Sequence, residues 1–302
     1  MKRSVIQLAK NTLAITLPNK WARAWGVQKH DLIDIEEKGN ELIVATGKNI
    51  KVPPRKVVVF GSFKHIRRQI SIPYRQGCDS LEVSFDDPKM IKDIQKTLEI
   101  ALGYEILSRG PKHVVIKDVA NLNEHDFEQL FSRYFNVTIS IAKDTLELLE
   151  QKRFGELGNL EQLLVTQAKL FLVCLRLVNK AGYKITDRPT FLYMFIDALE
   201  RAGDHIERIT EFLKTQKNVK LSDDTLDLYK QEVSLLEDLY KLFYKFDDKL
   251  GLQMMQRRND IDDRGNQLIQ KLKGPDVVVV HHLLYLNWTI SEATSDVYGL
   301  KV

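Results

Sequence analysis

Two stretches of this chain repeat one another at a fixed distance, and that repeat constrains the fold more than any other feature. Leu192-Tyr193-Met194 begins eight residues before Glu200, and Leu284-Tyr285-Leu286 begins eight residues before Glu292. Each glutamate is followed four residues on by an aspartate, Asp204 and Asp296, so the offset is 92 residues throughout. From Asn123 onward, apolar residues recur with helical period in six segments: 124–152, 160–183, 189–215, 222–249, 252–272 and 276–298. Gly155, Gly158, Gly182, Pro189, Gly251, Gly274 and Pro275 punctuate them. A duplicated unit made of long amphipathic helices predicts two three-helix bundles in tandem, over about 121–217 and 220–302. Asp276 is expected to cap the last helix, ahead of the apolar run Val277–Val280.

The preceding residues obey other periods. Leu13, Ile15 and Leu17 alternate with Thr12, Ala14 and Thr16, the pattern of a half-buried strand. Pro18 then opens a short helix through Trp21 and Trp25 that stops at Gly26, a left-handed cap. Runs at Leu32–Glu36 and Glu41–Ala45 flank Lys38-Gly39-Asn40, a hairpin signal. This β-β-α-β-β unit, residues 1–50, is too small to close a core alone, so oligomerisation is expected, with Trp21 and Trp25 as its apolar anchors. Lys48–Arg55, with two prolines, reads as a linker. Residues 56–120 read as a small α+β domain: strands at Val57–Phe60, Leu81–Phe85, Tyr104–Leu107 and Val114–Lys117, a basic helix at His65–Gln76, and a helix from Asp87-Pro88 to Leu102.

Charge divides along the same lines. The net charge of +4 combines 15 Lys+Arg against 5 Asp+Glu in residues 1–75 with 30 against 36 in the remainder. A basic head fits polyanion contact, and an acidic body fits cation contact. The longest apolar run, near Leu170–Leu177, is far short of the roughly 20 residues a bilayer span needs, and Met1–Val5 lacks the apolar stretch of a secretory signal. Cys78 and Cys174 have no metal-like spacing, so a cytoplasmic location is expected. There is no P-loop, nucleophile–base constellation or Gly-rich phosphate cradle, and no enzymatic activity is expected.

Glu200 and Asp204, like Glu292 and Asp296, stand at i,i+4 on a helix, where like charges destabilise by a few tenths of a kcal/mol. In the first pair Arg201 and Arg208 can offset Asp197 and Asp204. In the second, no Lys or Arg lies three or four residues away. A cation bridging the carboxylates would relieve the repulsion, and oxygen donors suit Mg, Mn, Fe or Zn. His205 and His281 stand nearby in sequence as possible extra ligands, but a lone helical His is more often packed or exposed.

These residues carry a family resemblance. Asp197-Ala-Leu-Glu200-Arg201-Ala-Gly203-Asp204-His205-Ile206 resembles the Glu-Arg-x-Gly-Asp-His helix of PhoU-type phosphate-signalling proteins, and Glu292-Ala-Thr-Ser-Asp296 is similar to a weaker second copy. The second copy departs from the pattern at Ala293, Ser295 and Val297. The resemblance covers roughly residues 121–302 and implies an all-α body of tandem three-helix bundles whose motif carboxylates, Glu200, Asp204, Glu292 and Asp296, bind metal.

Residues 2–46 resemble the AbrB/SpoVT swapped-hairpin domain through Arg3-Ser-Val-Ile-Gln7-Leu8, Thr16-Leu17-Pro18-x-Lys20-Trp21-Ala22 and Gly26-Val27-Gln28-Lys29-x-Asp31. Ala9-Lys10-Asn11 departs from it where related archaeal sequences are Gly-rich, and His30 replaces a turn glycine. That resemblance implies a dimeric barrel lying along DNA, with Lys2, Arg3, Lys10, Asn11, Thr12, Lys20 and Arg23 as contacts. Together the two halves resemble archaeal phosphate-uptake regulators: a dimeric DNA-binding transcriptional regulator with a metal-binding body. The alternative is a signalling adaptor that binds a phosphate transporter or sensor kinase and uses the swapped hairpin only to dimerise.

Overall fold

The computed structural model describes residues 2–38, 40–46, 54–216 and 219–302. Residues 1–53 and 54–302 form two compact units.

The first unit follows the expected order. Strands β1 (Ile6–Ala9) and β2 (Thr12–Ala14) pair antiparallel with an irregularity between Gln7 and Ala9, and the Gln7 side-chain amide donates to the Lys10 carbonyl to hold the turn (3.2 Å). Helix α1 (Asn19–Ala24) follows Pro18, which takes the capping position in extended conformation rather than the first helical one. The helix ends before Gly26, whose φ of +56° is the left-handed stop its sequence position predicts. His30, where a turn glycine is usual, also has positive φ, at +73°. Strands β3 (Asp34–Lys38) and β4 (Glu41–Ala45) form the second hairpin, paired from Asp34↔Ala45 to Lys38↔Glu41. Gly39 of its turn, and residues 47–53 of the expected linker, lie outside the described residues.

What this unit lacks is an interior. None of its described residues is buried. Leu8 is 71% exposed, Leu13 70% and Leu32 93%, and Val5, Ile15, Ile35 and Leu42 are likewise exposed. Trp25 is exposed and Trp21 half-buried, so the two tryptophans anchor no core within one chain.

The second unit begins with a four-stranded sheet, order β5-β6-β8-β7. Strand β5 (Arg55–Val59) runs parallel to β6 (Ser80–Phe85), and β8 (His113–Asp118) pairs antiparallel with β6 and with β7 (Tyr104–Arg109). In β6, Leu81, Val83 and Phe85 are buried while Glu82 and Ser84 are exposed, so only one face is covered. Helices α2 (Phe63–Arg75) and α3 (Met90–Leu98) pack together, and α2 also contacts β5.

After a 3-10 turn at Glu124–Asp126 come α4 (Phe127–Glu150), α5 (Glu161–Ile185), α6 (Pro189–Lys214), α7 (Asp223–Tyr244), α8 (Asp248–Lys271) and α9 (Pro275–Lys301). These are the six expected helices, and α6 and α9, which carry the repeat, share the largest helix–helix contact. Two details differ from expectation. The α7–α8 break falls at Lys245–Asp247 rather than Gly251, because Asp247 caps α8 by accepting from the Lys249 amide (2.9 Å). Asp276 does not cap α9: Gly274 takes that position, and the buried Asp276 accepts from the Ser222 amide and hydroxyl (both 2.9 Å) and the Thr225 hydroxyl. It therefore ties the start of α9 to the start of α7.

The expected boundary near residue 120 lies inside this unit. Arg176 of α5, 3% exposed, reaches from the helices into the α+β segment. It donates to the Tyr74 and Cys78 carbonyls (2.9 and 2.7 Å), to Asp79 (2.6 Å) and to Asp118 (2.9 Å), and lies near the rings of Tyr74 and Tyr104. Asn179 and Lys180, one turn on, donate to the Arg75 carbonyl and to Asp79. Arg176→Met is expected to cost about 3–5 kcal/mol in urea unfolding, because it leaves the Asp118 carboxylate, whose side chain is 9% exposed, without its charged partner. Lys180→Met, at a more exposed pair, is expected to cost under about 1 kcal/mol.

Candidate functional site

In the first unit the polar residues expected to meet DNA fall at three places along the chain. Lys2 and Arg3 precede β1, Lys10 and Asn11 form the β1–β2 turn, and Thr12 opens β2. Lys20 and Arg23 lie three apart on α1, a spacing that places them on one side of it. All seven are exposed.

In the second unit the repeated carboxylates meet very different surroundings. Glu200 of α6 is half-buried, and the fully buried Tyr134 hydroxyl of α4 lies 3.4 Å from its Oε2. Burial, then the charge of Asp204, pushes the Glu200 carboxyl up to about 8. Asp204 and Glu207 are raised as well, in each case first by burial. The opposing positive charge felt by all three comes from Arg67, on α2 of the α+β segment. Arg208, expected to pair with Asp204, also lowers it through its charge. Gly203 between them serves packing: a Cβ there would sit 2.0 Å from the Gln167 amide, which is buried and donates to Thr138 (3.1 Å).

The second pair has a cation of its own. Arg201 of α6 reaches across to Glu292 of α9 (2.9 Å) while also binding Asp197 on its own helix. Asp296 is buried, and burial pushes its carboxyl up to about 6 against the pull of Arg201. Asp197, Arg201, Glu292 and Asp296 together line a cleft of about 380 Å³ between α6 and α9. The repulsion that led the sequence to ask for a bound cation is therefore answered by a guanidinium from the other half of the repeat. With Arg201 paired to Glu292, the second pair has less call for a bound cation than its spacing implies. The first pair offers oxygen donors short of positive charge, and among the described residues no group of three or more His, Cys, Asp or Glu is arranged to hold a metal.

The histidines meet one another instead. His205 Nδ1 lies 3.3 Å from His282 Nδ1, and the His205 ring stacks on Tyr285 (5.3 Å, 16°). Burial, then the neighbouring His282, lowers His205 to about 4, so its imidazole is neutral at pH 7. His281 faces His282 and Tyr285 rather than a carboxylate. The sequence reading missed Arg67, Tyr134 and the cross-helix role of Arg201. Only the basic character of α2 hinted at Arg67, and no spacing rule links it to residue 200.

The raised Glu200 carboxyl has a pH signature. Below about 4.5 both folded and unfolded chains hold this proton; between there and about 8 only the folded chain does, so unfolding releases it and stability falls as pH rises. In chelator-treated protein the Tm is expected to decline across that window, and Glu200→Gln to flatten the decline. An unchanged slope in the variant would remove Glu200 as its source.

Comparison with known proteins finds a family match at the start of the chain. Residues 6–55 match the family model described as antidote-toxin recognition MazE, bacterial antitoxin. No curated protein matches the chain. Among solved structures, the phosphate transport system regulatory protein PhoU from Streptococcus pneumoniae is similar at 18% identity and a TM-score of 0.43, over 59% of this chain and 95% of that one. Residues 6–55 are a MazE/AbrB-like domain, joined in one chain to a mostly helical body similar to a PhoU protein.

Proposed function

We propose that this chain is a dimeric DNA-binding transcriptional regulator of phosphate uptake. The observation that carries the reading is the first unit's lack of any buried described residue beside its exposed basic turn and helix. Large apolar side chains left in water, Leu8, Leu13, Ile15, Leu32 and Ile35 among them, call for a partner surface, and a second copy of the same hairpins supplies one of matching shape. The positive charge concentrated in the same segment provides the salt-dependent part of DNA affinity. Two-fold symmetry then favours a pseudo-palindromic site. The phosphate assignment rests on the resemblance of Glu200-Arg201-Ala202-Gly203-Asp204-His205 to the motif helix of PhoU-type proteins. No described helix is long and apolar enough to cross a membrane, which fits a protein acting beside DNA.

Light scattering is expected to give a dimer mass, and Leu13→Asp with Ile15→Asp to give a monomer. Fluorescence anisotropy on upstream DNA of phosphate-transport genes is expected to show affinity falling steeply with salt. Lys10→Ala, Lys20→Ala and Arg23→Ala should each reduce the log–log salt slope by about 1 per phosphate contact removed. Salt-insensitive binding, or a dimer with no affinity for DNA, favours the adaptor reading, in which the body engages a phosphate transporter or sensor kinase.

For the body, we propose that a divalent or transition cation (Mg, Mn, Fe or Zn) is held by the pair Glu200 and Asp204. The support is their shared shortage of positive charge, with Arg67 at a distance. Elemental analysis of the purified chain is expected to find metal that is lost in Glu200→Gln/Asp204→Asn and kept in Glu292→Ala/Asp296→Ala. Loss only in the second variant would reverse the assignment, and no metal in any protein would end it.

A further inference from the structure

A second cavity, of about 510 Å³, opens between α7, α8 and α9, lined by residues that the reading above does not use. Its size falls within the range of small-molecule sites. It exists because α9 presents Ser291, Thr294 and Ser295 on one face, where larger side chains would fill the space. One end closes where Gly251 of α8 meets Tyr298. A Cβ at Gly251 would sit 2.3 Å from the Tyr298 hydroxyl, which donates to Asp248 (2.7 Å).

The chemistry of the lining is uneven. Leu235, Met254 and Ile290 form a buried apolar wall, and Leu252 and Met255 make an exposed apolar rim. The Thr294 and Ser295 hydroxyls donate to the Ile290 and Ser291 carbonyls (2.8 and 3.2 Å), so their hydrogens are already used. Asp248 is engaged by Tyr298. That leaves Arg258 as the charged donor of the lining, and it is under-used. Its Nε is buried without a hydrogen-bond partner, and its Nη1 reaches only the adjacent Asn259 (3.2 Å).

Its neighbours do not satisfy it. Arg257, one residue earlier, is held by Asp238 and by Ser234. Glu232 of α7 is fully buried with both carboxylate oxygens unpartnered, and burial favours its protonated form despite the charges of Arg257 and Arg258. Asn287 of α9 donates to the Arg258 carbonyl (2.9 Å) and leaves its own Oδ1 unpaired. An arginine lining an apolar cavity is matched by a carboxylate attached to an apolar body.

We propose that this cavity binds a small anionic amphiphile: an aliphatic carboxylate whose head pairs with Arg258 and whose chain lies on Leu235, Met254 and Ile290. Met254 and Met255 give the wall and rim the adaptability to close on chains of differing shape.

Calorimetric titration of the full chain with octanoate, and with 1-octanol as a neutral chain of equal length, tests the assignment. Octanoate is expected to bind one per chain. Arg258→Met is expected to weaken octanoate by about tenfold or more while leaving octanol unchanged, since charge-assisted hydrogen bonds are lost but the apolar wall is not. Ser291→Leu, which fills the space, is expected to abolish both. The methyl resonances of Met254 and Met255 in the unsubstituted chain should shift on addition of octanoate, a readout that needs no variant to fold. Absence of saturable octanoate binding, equal octanoate affinity in Arg258→Met, or methionine methyls that do not move would each overturn the proposal. The last of these would place any binding on another apolar surface, such as the exposed hairpins of the first unit.

Discussion

The buried guanidinium of Arg176 makes one body out of two kinds of structure. A charge taken out of water must find partners or unfold the chain around it. Arg176 finds its partners in the α+β segment: two carbonyls that follow the end of α2 or belong to it, and two carboxylates at strand ends, Asp79 just before β6 and Asp118 at the end of β8. The Tyr104 hydroxyl donates to the same Cys78 carbonyl, and the Tyr74 hydroxyl to Leu102, so the surrounding polar groups are satisfied as a set. This contact holds α2 against α5 and thereby brings Arg67 within electrostatic reach of the carboxylates on α6. The environment of the motif helix thus depends on a segment that carries no motif of its own.

The repeated helices show how a duplicated unit diverges once it packs against itself. Arg201 and its repeat counterpart Ala293 occupy equivalent positions, and only one of them is charged. Because α6 and α9 lie side by side, that one arginine serves the second copy's glutamate. The glutamate of the second copy is then paired from the first half, and Glu200 and Asp204 keep their mutual repulsion. Gly203 and Ser295 diverge for a packing reason as well: the glycine lets Gln167 approach α6, whereas Ser295 faces the clefts on either side of α9.

The first unit illustrates the opposite case, in which a fold is locally well specified and globally unfinished. Its strands, cap and turn residues agree with one another, including the left-handed conformations at Gly26 and His30. Yet the alternation that makes Leu13 and Ile15 good strand residues leaves them in water within one chain. Local consistency sets the backbone, and burial needs surface that a single copy of this length does not have.

Legibility followed the range of the interactions. Helix periods, the strand alternation of β6, the Gly26 stop and the 92-residue repeat are written in neighbouring residues, so the element order and the strand-rich, α+β and helical segments were readable directly. Even here, short-range competition moved details: Asp247 outcompeted Gly251 as the start of α8, and Asp276 turned from its own helix to Ser222 and Thr225. Arg176 was hidden because it sits inside the longest apolar run, where the pattern announces burial but cannot name the partners. The sequence by itself determined which residues form helices and strands, and which carboxylates share a helix face. Only the tertiary structure decided that Arg201 answers Glu292, that Arg67 faces Glu200, and that Arg258 is left with a spare donor, because charges meet across elements that lie far apart in the chain.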